Sequence, residues 1–361
     1  MASIEIEGFT SIRSAAVQLG RLNVLVGANG AGKSNFVRVF ELLGRIAGND
    51  LSFFVGLNGG AAALLNSTAG GAGGIRLRLD MPPDNYEAVL VPAANDQLIF
   101  EREAVSFNII GRGNRQTRLN EAAEESGPVS AAGHTLRLLE GCRVYHFHDT
   151  SRSAPVKQFV PTADNLALRN DAGNLAAFLL AMSSREDKPG WSAYRRMVRA
   201  VRQVAPFFRD FVLQPEQSDR IRLRWRQTDS DAVFSADQMS DGTLRFICLA
   251  TLLLQPELPA LVVLDEPELG LHPYAIVQLA QLLRQSATRS QVLLATQSVT
   301  LMNQFGLEDL IVVERVDGAS TFSRPDADKL SGWLAEYSLG ELWEKNLIGG
   351  RPTGEGTSSD A

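Results

Sequence analysis

Residues 27–34 read Gly27-Ala28-Asn29-Gly30-Ala31-Gly32-Lys33-Ser34, a run of small residues closed by a lysine and a hydroxyl. Just upstream, Leu22-Asn23-Val24-Leu25-Val26 is almost wholly apolar and predicts a buried strand. Just downstream, Phe36, Val37, Phe40 and Leu43 recur at helical spacing and predict a helix over about 34–45. Strand, glycine-rich turn and helix satisfy G-x-x-x-x-G-K-[ST] in the context that the pattern requires. Small side chains let successive N–H groups turn inward around an anion, and the helix aims its positive end at the same point. In such a loop Lys33 bridges the β- and γ-phosphates, and the Ser34 hydroxyl ligates Mg²⁺. Lysine is scarce here and arginine abundant, which makes a lysine at this place less expected by chance.

A second anchor is Leu261-Val262-Val263-Leu264-Asp265-Glu266-Pro267, an apolar strand that ends in two acids. The carboxyl ends of such strands form the mouth of an α/β sheet, where ligands bind. Asp265 is the candidate Mg²⁺ ligand and Glu266 the candidate base for an attacking water. Between the anchors, Met239-Ser240-Asp241-Gly242-Thr243 opens an apolar helix. Alone it reads as an N-cap; in this order along the chain it reads as a second anion-contacting turn.

The order of these motifs resembles the ABC ATPase superfamily, most closely its RecF/SMC/OLD-like branch. Residues 27–35, including Asn29 and Asn35, are similar to that branch's phosphate loop. Residues 239–243 resemble its signature, 265–273 its Walker B and D-loop, and Leu294-Ala295-Thr296-Gln297-Ser298 occupies the switch position. The resemblance implies an α/β P-loop head of ABC type with a β-rich lobe and an inserted helical lobe. It implies ATP and Mg²⁺ as cofactors, with Lys33, Glu266 and Gln297 as catalytic residues. It also implies a homodimer in which Ser240 and Gly242 of one copy cap the nucleotide held by residues 27–35 of the other. Two departures stand out. Gln297 replaces the usual switch histidine and cannot carry a positive charge, which points to slow turnover. No coupling glutamine is evident near Tyr145-His146-Phe147-His148-Asp149, and the His146/His148 pair reads only weakly as a metal site.

Composition sets the frame. The chain has 361 residues, 45% apolar and 21% charged, with a formal net charge of −6, so nothing in its overall field draws it to nucleic acid. The apolar runs at 246–254 and 261–264 are too short to span a bilayer, the N-terminus has no secretory pattern, and two cysteines are too few for a disulfide scaffold. Cytoplasmic location without a membrane partner is the expectation. The expected organisation is ATPase core (1–50), β-rich lobe (51–145), helical and strand lobe (146–236), ATPase core again (237–348) and a disordered tail (349–361). Within it, 55–74 reads as a glycine-rich loop, 75–81, 86–91 and 97–109 as strands with a turn at 94–96, and 220–226 as one strand.

Two arginine stripes are candidate contacts for the DNA backbone. Arg195, Arg199 and Arg202 share a face of a helix over 191–205, and Arg220, Arg222, Arg224 and Arg226 alternate with apolar residues. The competing reading of each is a solvated face. The leading functional reading is an ATPase of DNA repair or antiphage defence, working with a nuclease or other effector encoded nearby. The alternatives are the nucleotide-binding subunit of a membrane ABC transporter and an ATP-gated scaffold with little hydrolysis.

Overall fold

The computed structural model describes residues 1–67, 73–184, 189–216 and 219–350. Two compact units divide the chain: Met1–Val144 with Leu293–Ala361, and Tyr145–Val292. In the first unit, six described strands form an antiparallel sheet in the order Ile12–Gln18, Ser3–Phe9, Ile75–Met81, Asp84–Ala93, Gln97–Val105, Asn108–Gly111. Alternation sorts its faces. Ile4, Ile6, Ile75, Leu77 and Leu79 are buried, while Glu5 faces Arg78 and Glu7 faces Arg76 across the outer face, each pair at 3.9 Å. The expected turn at 94–96 is present, with Asn95 and Asp96 at φ 61° and 53°. The strand expected over 97–109 breaks instead at Ser106 and Phe107, both in the left-handed region (φ 46° and 67°), and folds back as a hairpin.

Composition misled at 55–74. Helices occupy Leu51–Leu57 and Ala61–Leu64, because Leu51, Phe54, Val55, Ala61 and Leu64 are buried at helical spacing; 68–72 lie outside the described residues. Helices Leu119–Ser126 and Ala131–Glu140 follow the hairpin. Under the sheet lies a fully buried carboxylate, Glu103. It accepts hydrogen bonds from Tyr86 Oη at 2.8 Å, from Thr117 Oγ1 and from the Arg118 N–H at 2.8 Å. Burial still pushes its pKa above the ordinary carboxylate value.

The same unit holds the strand Leu22–Val26, buried at every position. It runs parallel to Leu310–Val316, which pairs antiparallel with Ala319–Ser323. Its other neighbour is Gln291–Thr296, the strand on which the chain re-enters this unit at Leu293. The helix Lys33–Ala47 follows and buries Phe36, Val37, Phe40 and Leu43 as their spacing requires. At the far end, 351–361 of the expected tail lie outside the described residues, whereas the Gly350 N–H donates to Glu314 Oε1 at 2.9 Å.

The second unit is built on the helices Leu175–Ser183, Pro189–Val204, Asp241–Leu254 and Pro273–Ala287, with the buried strand Leu261–Asp265. A small antiparallel sheet, Phe208–Phe211, Arg224–Gln227 and Val233–Ser235, closes over Trp225, whose ring lies 6.1 Å from Phe208 and 5.0 Å from Phe234. The strand expected over 220–226 is split. Arg220–Ile221 pairs with Val160–Pro161, while Trp225 pairs with Phe211 and Phe234, so the chain changes sheets at Arg222 and Leu223. Among the described residues no helix is long and apolar enough to cross a membrane.

Candidate nucleotide-binding site

The phosphate loop is held by contacts that its glycines make possible. A Cβ on Gly27 would lie 2.2 Å from the Val313 carbonyl oxygen, so only glycine lets the loop start against the Leu310–Val316 strand. Gly32 caps the helix at φ 118°, a backbone region closed to other L-residues, and a Cβ there would meet Ser320 Oγ at 2.0 Å. Lys33 is only 5% exposed, and its ammonium donates to the Gly27 and Ala28 carbonyls at 2.8 and 2.9 Å. The cation therefore lies over the mouth of the loop. Ser34 is exposed at the helix start.

Asn35 is hydrogen-bonded to the scaffold. Its amide donates to Ser11 Oγ at 2.7 Å, Ser11 Oγ pairs with Ser320 Oγ at 2.7 Å, and Ser320 Oγ donates to the Ala31 carbonyl at 2.6 Å. This chain of hydroxyls ties the tip of the first hairpin and the Ala319–Ser323 strand to the loop. Two further neighbours had no signal in the sequence. The exposed Arg315 reaches the Gly30 carbonyl at 3.4 Å, and a Cβ on Gly350 would lie 3.3 Å from Gly27 Cα. Gln297 follows the Gln291–Thr296 strand, ahead of a short helix capped by Ser298, whose side chain accepts from the Leu301 N–H at 3.2 Å.

In the second unit, Asp265 ends the Leu261–Asp265 strand, and its Oδ1 is buried with no hydrogen-bond partner. An orphaned carboxylate oxygen is costly, and a divalent cation is one group whose chemistry fits it. Glu266 has φ 45°, left-handed for a side chain that disfavours it. Such strain costs about 1–3 kcal/mol and persists where the fold needs that direction. Ser240 is exposed and caps the Asp241–Leu254 helix, its Oγ accepting from the Thr243 N–H at 3.3 Å. Gly242 is required for packing as well: a Cβ there would come 2.6 Å from the Gly270 carbonyl oxygen.

His146 and His148 lie past the Cys142–Tyr145 strand, not on it, with ring centroids 6.2 Å apart. Among the described residues no cluster of three or more potential ligands could hold a metal ion. Instead His148 Nε2 donates to the Asp265 carbonyl at 2.9 Å.

The arginine stripes have different surroundings. Arg195 and Arg199 are exposed on the Pro189–Val204 helix, while Arg202 donates through Nε to the Arg209 carbonyl at 3.0 Å. Arg222 grips Glu216 with two bonds, 2.8 and 3.1 Å, and stacks over Phe159 at 4.8 Å. Arg224 Nε sits 3.3 Å from the same carboxylate, and the Arg222 bond holds the Glu216 pKa below its ordinary value. Arg220 donates to the Phe159 carbonyl at 3.0 Å, and Arg226 is exposed.

The family model described as "AAA domain, putative AbiEii toxin, Type IV TA system" matches residues 22–101 and 143–303, which include the 27–34 loop, the 239–243 turn, the acid-ended strand and residues 294–298. A comparison with curated proteins gives no match. Among solved structures, an SMC head bound to the C-winged helix domain of ScpA has a TM-score of 0.59 at 15% identity, covering 95% of this chain and 99% of that one. An SMC head with an extended coiled coil, bound to the C-terminal domain of ScpA derived from Pyrococcus furiosus, has a TM-score of 0.60 at 14% identity, covering 93% and 98%. At these identities the likeness is one of fold, an α/β head like that of SMC proteins, and it extends over nearly the whole chain. With more than half of its residues matched by the model, the chain belongs to the AAA-domain family of putative AbiEii toxins.

Proposed function

We propose that the chain binds ATP with Mg²⁺ and hydrolyses it as a two-fold dimer, each copy's 27–35 loop holding a nucleotide that the partner's 240–242 turn caps. The observation that carries this reading is the loop itself. Glycines stand where no Cβ fits, and a buried ammonium is bent over the loop's own carbonyls. A loop of this kind suits a phosphate anion.

Ser34 and Asp265 are the residues that would hold Mg²⁺, which spreads the negative charge that builds on the phosphates during transfer. Glu266 orients the attacking water and takes its proton as the oxygen bonds to the γ-phosphorus and the bond to the β-phosphate oxygen breaks. Lys33 stabilises the leaving diphosphate. Gln297 hydrogen-bonds the water or the γ-phosphate but adds no positive charge, so turnover is slow. The exposed Arg195 and Arg199 suit a polyanion, and DNA maintenance or antiphage defence with a partner effector is the setting that fits them. The compared SMC heads are bound to ScpA, a precedent for a head of this fold working with a second polypeptide.

The test is Glu266→Gln. Hydrolysis should fall about 100-fold or more, since a positioned base contributes 10²–10⁴, and an ATP-dependent dimer should accumulate in size-exclusion chromatography with light scattering. Wild-type turnover in the variant removes Glu266 from its role. A monomer at saturating ATP removes the sandwich.

A further inference from the structure

Within the second unit one arginine joins the signature turn to both sides of the acid-ended strand. Arg245 lies one helical turn into the Asp241–Leu254 helix. Its Nη1 donates to the Leu269 carbonyl at 3.0 Å and its Nη2 to the His148 carbonyl at 2.9 Å. His148 closes the circuit, its Nε2–H donating to the Asp265 carbonyl at 2.9 Å. The 240–242 turn also bears directly on the loop that carries Leu269: Gly242 admits no Cβ against Gly270, and a Cβ on Gly270 would lie 2.2 Å from Arg245 Nη1. Arg245, His148, Asp265 and Glu266 border one small cleft.

We propose that Arg245 and His148 are positioning residues that transmit engagement of the 240–242 turn to the peptide between Asp265 and Glu266. This rests on the ATPase reading above. The Asp265 carbonyl and the Glu266 N–H belong to one rigid peptide plane. A hydrogen bond on that carbonyl therefore fixes the plane about which Glu266 holds its left-handed φ of 45°. Without His148 the plane is free to relax, and the general base swings away from the water. Arg245 sets His148 in turn. The planar guanidinium spans two carbonyls on separate segments, which a lysine's single ammonium does not reproduce. Both partners are carbonyls, so the guanidinium acts here as a double hydrogen-bond donor to backbone. When the turn closes on a second copy's nucleotide, the push on the helix start reaches Leu269 directly and Asp265 through His148.

The experiment compares the full chain with Arg245→Ala, Arg245→Lys, His148→Ala and His148→Gln, reading kcat and KM for MgATP and the dissociation constant of a non-hydrolysable ATP analogue. Arg245→Ala and His148→Ala should lower kcat about 10–100-fold, the usual cost of losing a group that orients a catalytic one. Analogue affinity should stay within about twofold, because the phosphate loop is untouched. His148→Gln keeps an N–H at the Nε2 position and should restore most of kcat; Arg245→Lys should not. If Arg245→Ala fails to fold, as its melting curve would show, the His148 pair decides the matter. A wild-type enzyme that turns over, with His148→Ala equal to it or His148→Gln no better than His148→Ala, overturns this inference and leaves the ATPase reading standing. A wild-type chain that binds the analogue yet releases no phosphate overturns both.

Discussion

The phosphate loop and the arginine-bearing strand are both short runs with a strong chemical pattern, yet the fold holds them by different means. In the loop the pattern is a backbone requirement. Gly27 and Gly32 stand where a Cβ would strike Val313 or Ser320, and the chemistry follows from the shape that these glycines allow. In the strand the pattern is a set of charges, and the partners of charges come from anywhere. Glu216 takes Arg222 and Arg224 together, Phe159 supplies a ring and a carbonyl, and the strand itself breaks between two sheets. A motif that specifies φ and close approach is readable locally. One that specifies charge waits on tertiary contacts.

The sharpest way to break that contrast is Gly27→Ala. The obstructing atom is the Val313 carbonyl oxygen, a backbone atom in a strand paired on both sides, so either the loop or that strand must move. Overpacking of this kind costs about 1–3 kcal/mol and occasionally more, and the upper end is expected here. The variant should melt several degrees lower by calorimetry and lose ATP-analogue affinity by about 100-fold, a shift of roughly 2.7 kcal/mol. Retention of wild-type affinity would mean that the glycine serves something other than the loop's shape.

What else was readable follows the same division. The strands Leu22–Val26 and Leu261–Asp265 and the helices beside them were legible because each buries a continuous or periodic apolar set. The Leu51–Leu57 helix was not, because glycine and asparagine in the flanking stretch hid the spacing of Leu51, Phe54 and Val55. The helices Leu119–Ser126 and Ala131–Glu140 pack only part of their length, and their weak periodicity sits among polar residues. At the site, Lys33, Asp265 and Glu266 carry a spacing signal. Arg315, Ser320 and His148 do not, since each reaches its partner only through the fold: Arg315 to Gly30, Ser320 to Ala31, His148 to Asp265. Asn35 is the mixed case, named from the loop pattern as a nucleotide contact and found hydrogen-bonded to Ser11.

The arginines offer a second, smaller effect that sharpens the comparison. If DNA is bound through exposed guanidinium groups alone, Arg195→Glu/Arg199→Glu should reduce the slope of log K against log salt by about 2, near 0.9 per lost phosphate contact. Arg222→Glu/Arg224→Glu should leave that slope unchanged. It should instead lower stability by about 1–2 kcal/mol, because two new carboxylates would crowd Glu216. Fluorescence anisotropy over a salt series, with a denaturant melt of each variant, separates the two. The opposite assignment, with the strand pair setting the slope, would show that the Glu216 pairs open when a polyanion arrives.

The smallest effect tests the network behind the loop. Asn35→Ala removes the amide that Ser11 Oγ accepts, but Ser11 and Ser320 keep each other, and Ser320 keeps the Ala31 carbonyl. One part-buried hydrogen bond is worth about 1 kcal/mol, so the melt should shift by a few degrees. If Asn35 only braces the loop, analogue affinity should fall no more than about fivefold, the equivalent of that same 1 kcal/mol. Ser320→Ala should do more than Asn35→Ala, because it strips the Ala31 carbonyl and Ser11 at once. Should Asn35→Ala prove the costlier for nucleotide and the milder for stability, its amide leaves Ser11 to reach the phosphates, and the side chain that looked like scaffold is a ligand after all.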